Sequence, residues 1–260
     1  LLINKCKLEK NLNITSIEVA LNQWIINELS TTSQKIEKYM SKYLFHEVAN
    51  EIYHFIWHTY CDWYIEFAKT LFNEISENSK ETKKVAMWIF IQILKMAHPI
   101  MPFITEQLWG VINGEKEFLM NQVFEEHNII NKFKKSQSNI KHLTQIISAV
   151  RNIRSELNIS YKNLIDINFS NNKPDFIIFL NGYENELKRL LKLNKISFDL
   201  KTKKTLGAAY IVVADTAITI PLKNIVDTEK EIKKLQEKKD KKLNNLSNIN
   251  LKLSNSSFLK

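Results

Sequence analysis

The spacing richest in possible chemistry is His54, His58, Cys61 and Asp62, where two imidazoles four apart on a helix would offer a pair of nitrogens to one zinc ion. Hydrolytic zinc helices need a glutamate between the histidines, and none is present. Instead His46, Asn50, His54, His58, Asp62 and Glu66 recur every four residues as one polar row, so the pair reads as part of a solvated or RNA-facing stripe. No metal ligand is assigned. The run from Gly110 to Lys116 (GVINGEK) approaches a phosphate-binding loop but is one residue short and has no Ser or Thr after its lysine. No serine–histidine–acid pattern stands out, and no carboxylate pair sits in an apolar setting suited to acid–base work. The sequence therefore predicts no catalytic and no cofactor-binding residue here.

Charge is the next signal. Net charge is +9 over 260 residues, yet residues 1–135 carry 15 Lys+Arg against 16 Asp+Glu, whereas residues 136–260 carry 22 against 12. The whole excess lies in the second half, which suits one end meeting a polyanion while the other makes less electrostatic contacts. A solvated lysine-rich surface in a composition biased toward Lys, Asn and Ile is the plainer alternative.

Composition then bounds the elements that position these groups. Apolar residues at 44% and charged residues at 25% fit a globular chain rather than a disordered one. Only 4 glycines argue against Rossmann loops and turn-dense β-sandwiches, which need backbone at positive φ. Cys6 and Cys61, with no signal-peptide pattern, fit a reducing, cytoplasmic setting without disulfides. From Val85 to Thr105 Lys95 is the sole charge, but Pro99 and Pro102 interrupt the window, so it reads as a buried bundle helix rather than a membrane span. The chain opens at Leu1 in ordinary mixed sequence, which predicts a piece of a longer polypeptide.

Periodicity predicts a helix from Asn22 to Tyr43 and a longer one from Phe45 to Phe72. On the second, Phe45, Ala49, Ile52, Ile56, Trp63 and Phe67 form one apolar row, with Tyr53, Trp57, Tyr60 and Tyr64 beside it, predicting enclosure on most sides. A third helix, Ser79 to Ala97, has Ser79 and Thr82 as candidate caps, and Phe103 to Val111 follows Pro102. Four helices in this span imply an antiparallel bundle. Ile140 to Leu157 reads as a linking helix. After it, Leu164–Phe169, Ile196–Leu200, Tyr210–Val213 and Ala217–Pro221 read as strands, with a helix from Tyr183 to Leu193. Ile225 to Leu253 has heptad character, with Ile or Leu at six of nine core positions, and predicts half of a coiled coil. The fold class is thus mainly α: a helical bundle (1–135), a linking helix with a small α+β module (136–222), and a coiled-coil arm helix (223–260).

Several segments together resemble the C-terminal part of the valyl-tRNA synthetase family. They are Asn22–Leu29 (NQWIINEL), Tyr43–Ala49 (YLFHEVA), Phe55–Lys69 (FIWHTYCDWYIEFAK), His98–Trp109 (HPIMPFITEQLW), Val150–Ile159 (VRNIRSELNI), Ile220–Ile232 (IPLKNIVDTEKEI) and Ser254–Lys260 (SNSSFLK). Tyr39–Lys42 (YMSK), at the end of a helix, only coincides with part of a class I synthetase signature. Tyr161 departs from the family's proline-rich turn, and Glu28 stands where a basic residue is common.

The resemblance implies an anticodon-binding bundle and the start of a C-terminal arm, within an enzyme that joins valine to tRNA using ATP. Catalytic and editing domains would lie outside this chain, leaving it inactive alone and without a cofactor. On such a bundle's first corner, Phe45 is expected as a stacking platform or else as a core plug at the helix start, with Asn22, Gln23, His46 and Asn50 as readers of base edges and Lys42 on a phosphate. Trp57, Trp63 and Trp109 are expected in the core. Arg151 and Arg154, three apart on one helix, would meet neighbouring phosphates or else close an intramolecular salt bridge. Lys230, Lys233, Lys234, Lys238, Lys241 and Lys242 would run along the outer corner of the tRNA. The expected partner is valine tRNA, with no membrane or DNA, for a monomer that self-associates, if at all, through the unpaired arm helix. Two other readings stay open: a stand-alone tRNA-binding paralogue or split-gene remnant without ligase activity, and a helical adaptor.

Overall fold

The computed structural model describes residues 6–7, 12–114, 117–123, 132–201, 206–222, 225 and 228–254. The chain divides into two compact units, residues 1–145 and 146–260.

In the first unit, α1 (Ala20–Met40) is preceded by Val19, which supplies no side-chain cap. Glu81 caps it from another helix: its carboxylate accepts from the backbone N–H of Glu18 and Val19, both at 3.0 Å, and from Asn22 Nδ2 at 2.8 Å. A negative charge on orphan N–H groups at a helix start is favourable. The chain then turns through Ser41–Tyr43, with Tyr43 in the left-handed region (φ 57°).

The long helix runs without a break as α2 (Phe45–His54), a π-wound segment (Phe55–Ile65) and α3 (Glu66–Phe72). The wider winding resets which residues face inward. Val48, Ile52, Phe55, Tyr60, Tyr64, Phe67 and Phe72 are buried, with the five-residue step from Phe55 to Tyr60 inside the π segment. The expected rows are corrected: Phe45 and Tyr53 in α2 and Trp57 in the π segment are exposed, so the helix is not enclosed on most sides. Tyr60 Oη donates to the Ala86 carbonyl (2.8 Å) and Tyr64 Oη to Asn22 Oδ1 (2.9 Å). Burial pushes both phenols well above their usual range, so they stay protonated donors.

α4 (Glu77–Ala97) is capped by Ser76, whose hydroxyl accepts from Ser79 N at 3.1 Å. Ser79 and Thr82 are not caps; both are buried within the helix, and Thr82 Oγ1 accepts from Asn22 Nδ2 at 3.1 Å. Pro102 stands in the first turn of α5 (Pro102–Asn113), where a missing N–H costs nothing. The α4–α5 corner is fixed by a 2.8 Å hydrogen bond between His98 Nδ1 and Thr105 Oγ1. Glu106 accepts from the N–H groups of Leu119 and Met120 at 2.9 Å each, and Trp109 Nε1 donates to the Glu117 carbonyl at 2.8 Å. Val48, Ile52 and Ala97 pack together with Ile36, Tyr39 and Ile56 against them. That cluster joins the end of α1, the start of α2 and the end of α4, so the α1–α2 and α4–α5 corners share one end of the bundle. α6 (Lys134–Glu156) crosses the boundary between the units, and its first turns are held to α1 by Ser136 Oγ to Gln23 Oε1 (2.6 Å) and Asn27 Nδ2 to Gln137 Oε1 (2.8 Å).

The second unit is built on β1 (Ile165–Asn171), α7 (Pro174–Gly182), α8 (Glu184–Leu191), β2 (Leu193–Asp199), β3 (Ala208–Val213) and β4 (Thr216–Pro221). The strands form one sheet in the order β2-β1-β4-β3, with β1 and β2 parallel and the other pairs antiparallel. The parallel pair needs a crossover, and α7 with α8 supplies it; α7 is an addition to the sequence reading. α8 ends at Lys192 in the left-handed region (φ 53°), so β2 starts earlier than expected. Asn158 and Ala214, at φ 52° and 47°, are further non-glycine residues in that region. α9 (Thr228–Ser254) completes the described chain. Among the described residues, no helix is long and apolar enough to cross a membrane, and Cys6 and Cys61 are free thiols.

Candidate nucleic-acid interface

The turn at Tyr43 re-aims the chain so that α2 begins with its aromatic residue outside the bundle. Phe45 is 56% exposed and Tyr43 80%, with ring centroids 6.3 Å apart and planes at 75°. This edge-to-face contact steadies the Phe45 ring and leaves apolar π surface open to solvent. Lys42, His46 and Asn50 are exposed on the same corner and the turns that follow, and His46 Nε2 lies 3.4 Å from Glu47. A flat ring, an ammonium, an imidazole and an amide within two helical turns can stack a base, meet a phosphate and hydrogen-bond a base edge. At the same end of the bundle the α4–α5 corner exposes Met101 and, at 90%, Phe103. The motif HPIMPF signals only a helix stop and restart, and nothing in it marks that its second half faces outward.

Asn22 and Gln23 do not join this corner. They stand at the opposite end of α1, about 30 Å from Tyr43 at 1.5 Å per residue. Asn22 is fully buried, and its amide is committed to Glu81, Thr82 and Tyr64. Gln23 donates to the Ile17 carbonyl at 2.7 Å and accepts from Ser136. Their expected role as edge readers is corrected: both amides build the α1 entry.

Further along the helix lies an exposed aromatic strip. The Tyr53 ring meets His54 and His58 edge-on, each with centroids 5.8 Å apart, and the two imidazoles lie 5.2 Å from one another. Trp57, expected in the core, is 54% exposed beside them. Trp63 is half-buried, and Trp109 is buried. His58 Nδ1 lies 3.3 Å from Asp62 Oδ2. Among the described residues, no group of three or more His, Cys, Asp or Glu side chains could hold a metal ion.

In the second unit Arg154 is 2% exposed and turned inward. Its guanidinium donates to the carbonyls of Ser160 (2.8 Å), Asn163 (2.7 Å) and Leu191 (3.2 Å), and lies 5.4 Å from the centroid of the Tyr161 ring. Burial lowers its pKa from the ordinary arginine value, against an opposing effect of Tyr161. The expectation that it meets a phosphate is corrected, because its donors point at backbone. Arg151, three residues earlier, is half-buried. Lys233, Lys238, Lys241 and Lys242 are exposed along α9, together with Ile232, Leu243, Leu246 and Ile249. Lys230 and Lys234 lie outside the residues whose side chains the structure describes, as residues 255–260 lie outside it altogether.

Comparison with known proteins bears on residues that include this corner. The family model described as the anticodon-binding domain of tRNA ligase matches residues 22–168. The valine--tRNA ligase of Aquifex aeolicus is 31% identical over 252 residues, covering 92% of this chain and 22% of that protein. That of Legionella pneumophila (strain Lens) is 32% identical over 225 residues, with 83% and 24% covered. The Brucella suis enzyme is 27% identical over 260 residues, with 99% and 28% covered. The chain spans about a quarter of the length of the curated relatives it matches.

Proposed function

The chain belongs to the family of anticodon-binding domains of tRNA ligases, and from that premise we propose that it is the tRNA-gripping portion of a valine–tRNA ligase. In this reading the α1–α2 corner receives the anticodon loop and the lysines of α9 follow the outer corner of the tRNA. The observation that carries it is the exposure of Phe45 beside Tyr43, with Lys42, His46 and Asn50 around it, inside the residues matched to the family. Phe45 would stack on an unpaired base, His46 and Asn50 would meet base edges, and Lys42 a phosphate. Met101 and Phe103 add an apolar lip at the same end. A near-neutral bundle suits this role, since base contacts specify while phosphate contacts supply most of the affinity. Those phosphate contacts fall to Lys233, Lys238, Lys241 and Lys242, with Lys230 and Lys234 on the same helix. Arg151, half-buried on α6, would add one phosphate contact.

ATP and valine belong, in this proposal, to the part of such ligases that the chain does not cover, so the chain holds no cofactor and is inactive alone. It would work as a cytoplasmic monomer on valine tRNA. A helical adaptor is the competing reading, and the exposed Ile232, Leu246 and Ile249 on α9 favour it. Gel retardation separates the two. The tRNA reading expects valine tRNA to be retained more strongly than a version with a swapped anticodon, and the affinity to fall steeply between two ionic strengths. Equal retention of both RNAs with a flat salt response would overturn it, and self-association without RNA in sedimentation would favour the adaptor.

A further inference from the structure

Large aromatic side chains left in water on a folded domain mark a contact surface, and beyond Phe45 the helix of α2 and the π segment carries two more, Tyr53 and Trp57. Their exposure has a structural cause. Val48, Ile52 and Phe55 take the core positions at α-helical spacing, which places Tyr53 and Trp57 off the core direction, and the π winding that follows turns Tyr60 and Tyr64 inward without bringing Trp57 with them. Such windings recur at functional sites. The Tyr53 ring is braced at its edges by His54 and His58, an arrangement that holds the rings in place and leaves π surface available.

We propose that Tyr53, His54, Trp57 and His58 form a second stacking strip for single-stranded RNA, lying along the same helix that begins at Phe45. The proposal rests on the reading of this bundle as an RNA-binding domain, and it extends the contact about 18 Å from the corner at helical rise. Three observations favour RNA over a protein partner. The strip offers flat rings and imidazoles, which stack on bases and donate to base edges or phosphates. Its neighbours His46, Asn50, Cys61 and Asp62 are exposed, and three of them are strongly polar, whereas the aliphatic face suited to protein docking lies on α5 at Ile104, Leu108 and Val111. The nearest carboxylate, Asp62, faces His58, and Glu51 is held by Lys35 at 3.1 Å, which limits repulsion of a phosphate.

Trp57 is the most exposed of the five tryptophans, so its fluorescence reports on the strip. The 260-residue chain is titrated with a mixed-sequence single-stranded oligoribonucleotide and, separately, with valine tRNA, following tryptophan emission and the anisotropy of labelled RNA. The strip expects emission to be quenched. It expects Trp57→Ala and Tyr53→Ala each to weaken oligonucleotide binding about tenfold, while Trp57→Phe keeps the affinity and loses the quenching. Both residues are exposed, so circular dichroism should show intact folds. If Phe45→Ala weakens tRNA binding while both strip variants bind like the parent, the strip falls and the anticodon reading stands. If no variant changes binding to either RNA, both fall. Trp57 emission that shifts with protein concentration and ignores RNA identifies a protein contact and overturns the strip.

Discussion

Replacing Arg154 by methionine keeps the length and apolar stem of the side chain but removes the donors that three carbonyls share, those of Ser160, Asn163 and Leu191. A hydrogen bond to a charged group contributes about 1.5–3 kcal/mol. The three act at one site and are not additive, so the expected loss is about 3–5 kcal/mol, the scale seen when a buried charged network loses a partner. Whole domains hold only roughly 5–15 kcal/mol, so the second unit should sit close to unfolding. Arg154→Lys keeps the charge without the planar fork and should cost about 2–3 kcal/mol. Urea denaturation followed by hydrogen exchange at β1 and β2 would localise the effect, because Arg154 ties the turn before β1 to the end of α8. The contrary outcome is specific. If Arg154→Met unfolds at the parent's urea midpoint but binds tRNA with a salt slope shallower by about one, the guanidinium serves a phosphate and the inward geometry is not its working state.

Other expectations follow from individual contacts. Glu81→Ala removes the cap on α1 and should lower stability by about 2 kcal/mol, read as a shift in urea midpoint with an unchanged slope. Desolvation raises Glu106, but the N–H groups of Leu119 and Met120, with His98 nearby, outweigh it and hold its carboxyl below the usual range. Its contribution is therefore present above the unfolded carboxylate value near about 4.3 and lost as pH falls through the lower folded value; Glu106→Gln should flatten that part of a melting-temperature profile between pH 6 and 3. Tyr43→Gly relieves a left-handed tyrosine and should change stability by less than about 1 kcal/mol, in the favourable direction, while weakening RNA binding in the retardation assay. A gain in neither stability nor a loss in binding would show that the corner's conformation is incidental.

Elements with strong periodicity were legible from sequence: α1, the long second helix, α4 after its first turn, and the four strands all stand near their predicted places. α7 was missed because PDFIIFLN is too continuously apolar to show a helical period, although Pro174 is a fair start signal. The cap on α4 is Ser76 rather than Ser79, an ambiguity inherent in a serine every third residue. Of the candidate site, Lys42, Phe45, His46 and Asn50 sit together because they are contiguous with one turn. Asn22, Gln23 and Arg154 misled for a shared reason. Their polarity suggested solvent or ligand, whereas each satisfies backbone or side-chain partners that are distant in sequence, Glu81 and Ser136 in the bundle and Leu191 in the module. Trp57 failed in the opposite direction: its size and apolarity suggested the core, whereas the buried Val48, Ile52 and Phe55 set a helical phase that leaves it outside.

Lys192 and Ala214, two of the left-handed residues that hold a turn without glycine, offer a practical handle on the rest. Each sits in the second unit, away from the proposed anticodon corner in sequence, and each carries a β-carbon where none is wanted. Introducing glycine at both should yield a sturdier parent by roughly 0.5–1 kcal/mol per position, after the entropy glycine adds to the unfolded chain. In that reinforced background, damaging changes such as Arg154→Met would leave enough native protein for RNA affinity and folding to be measured on the same sample.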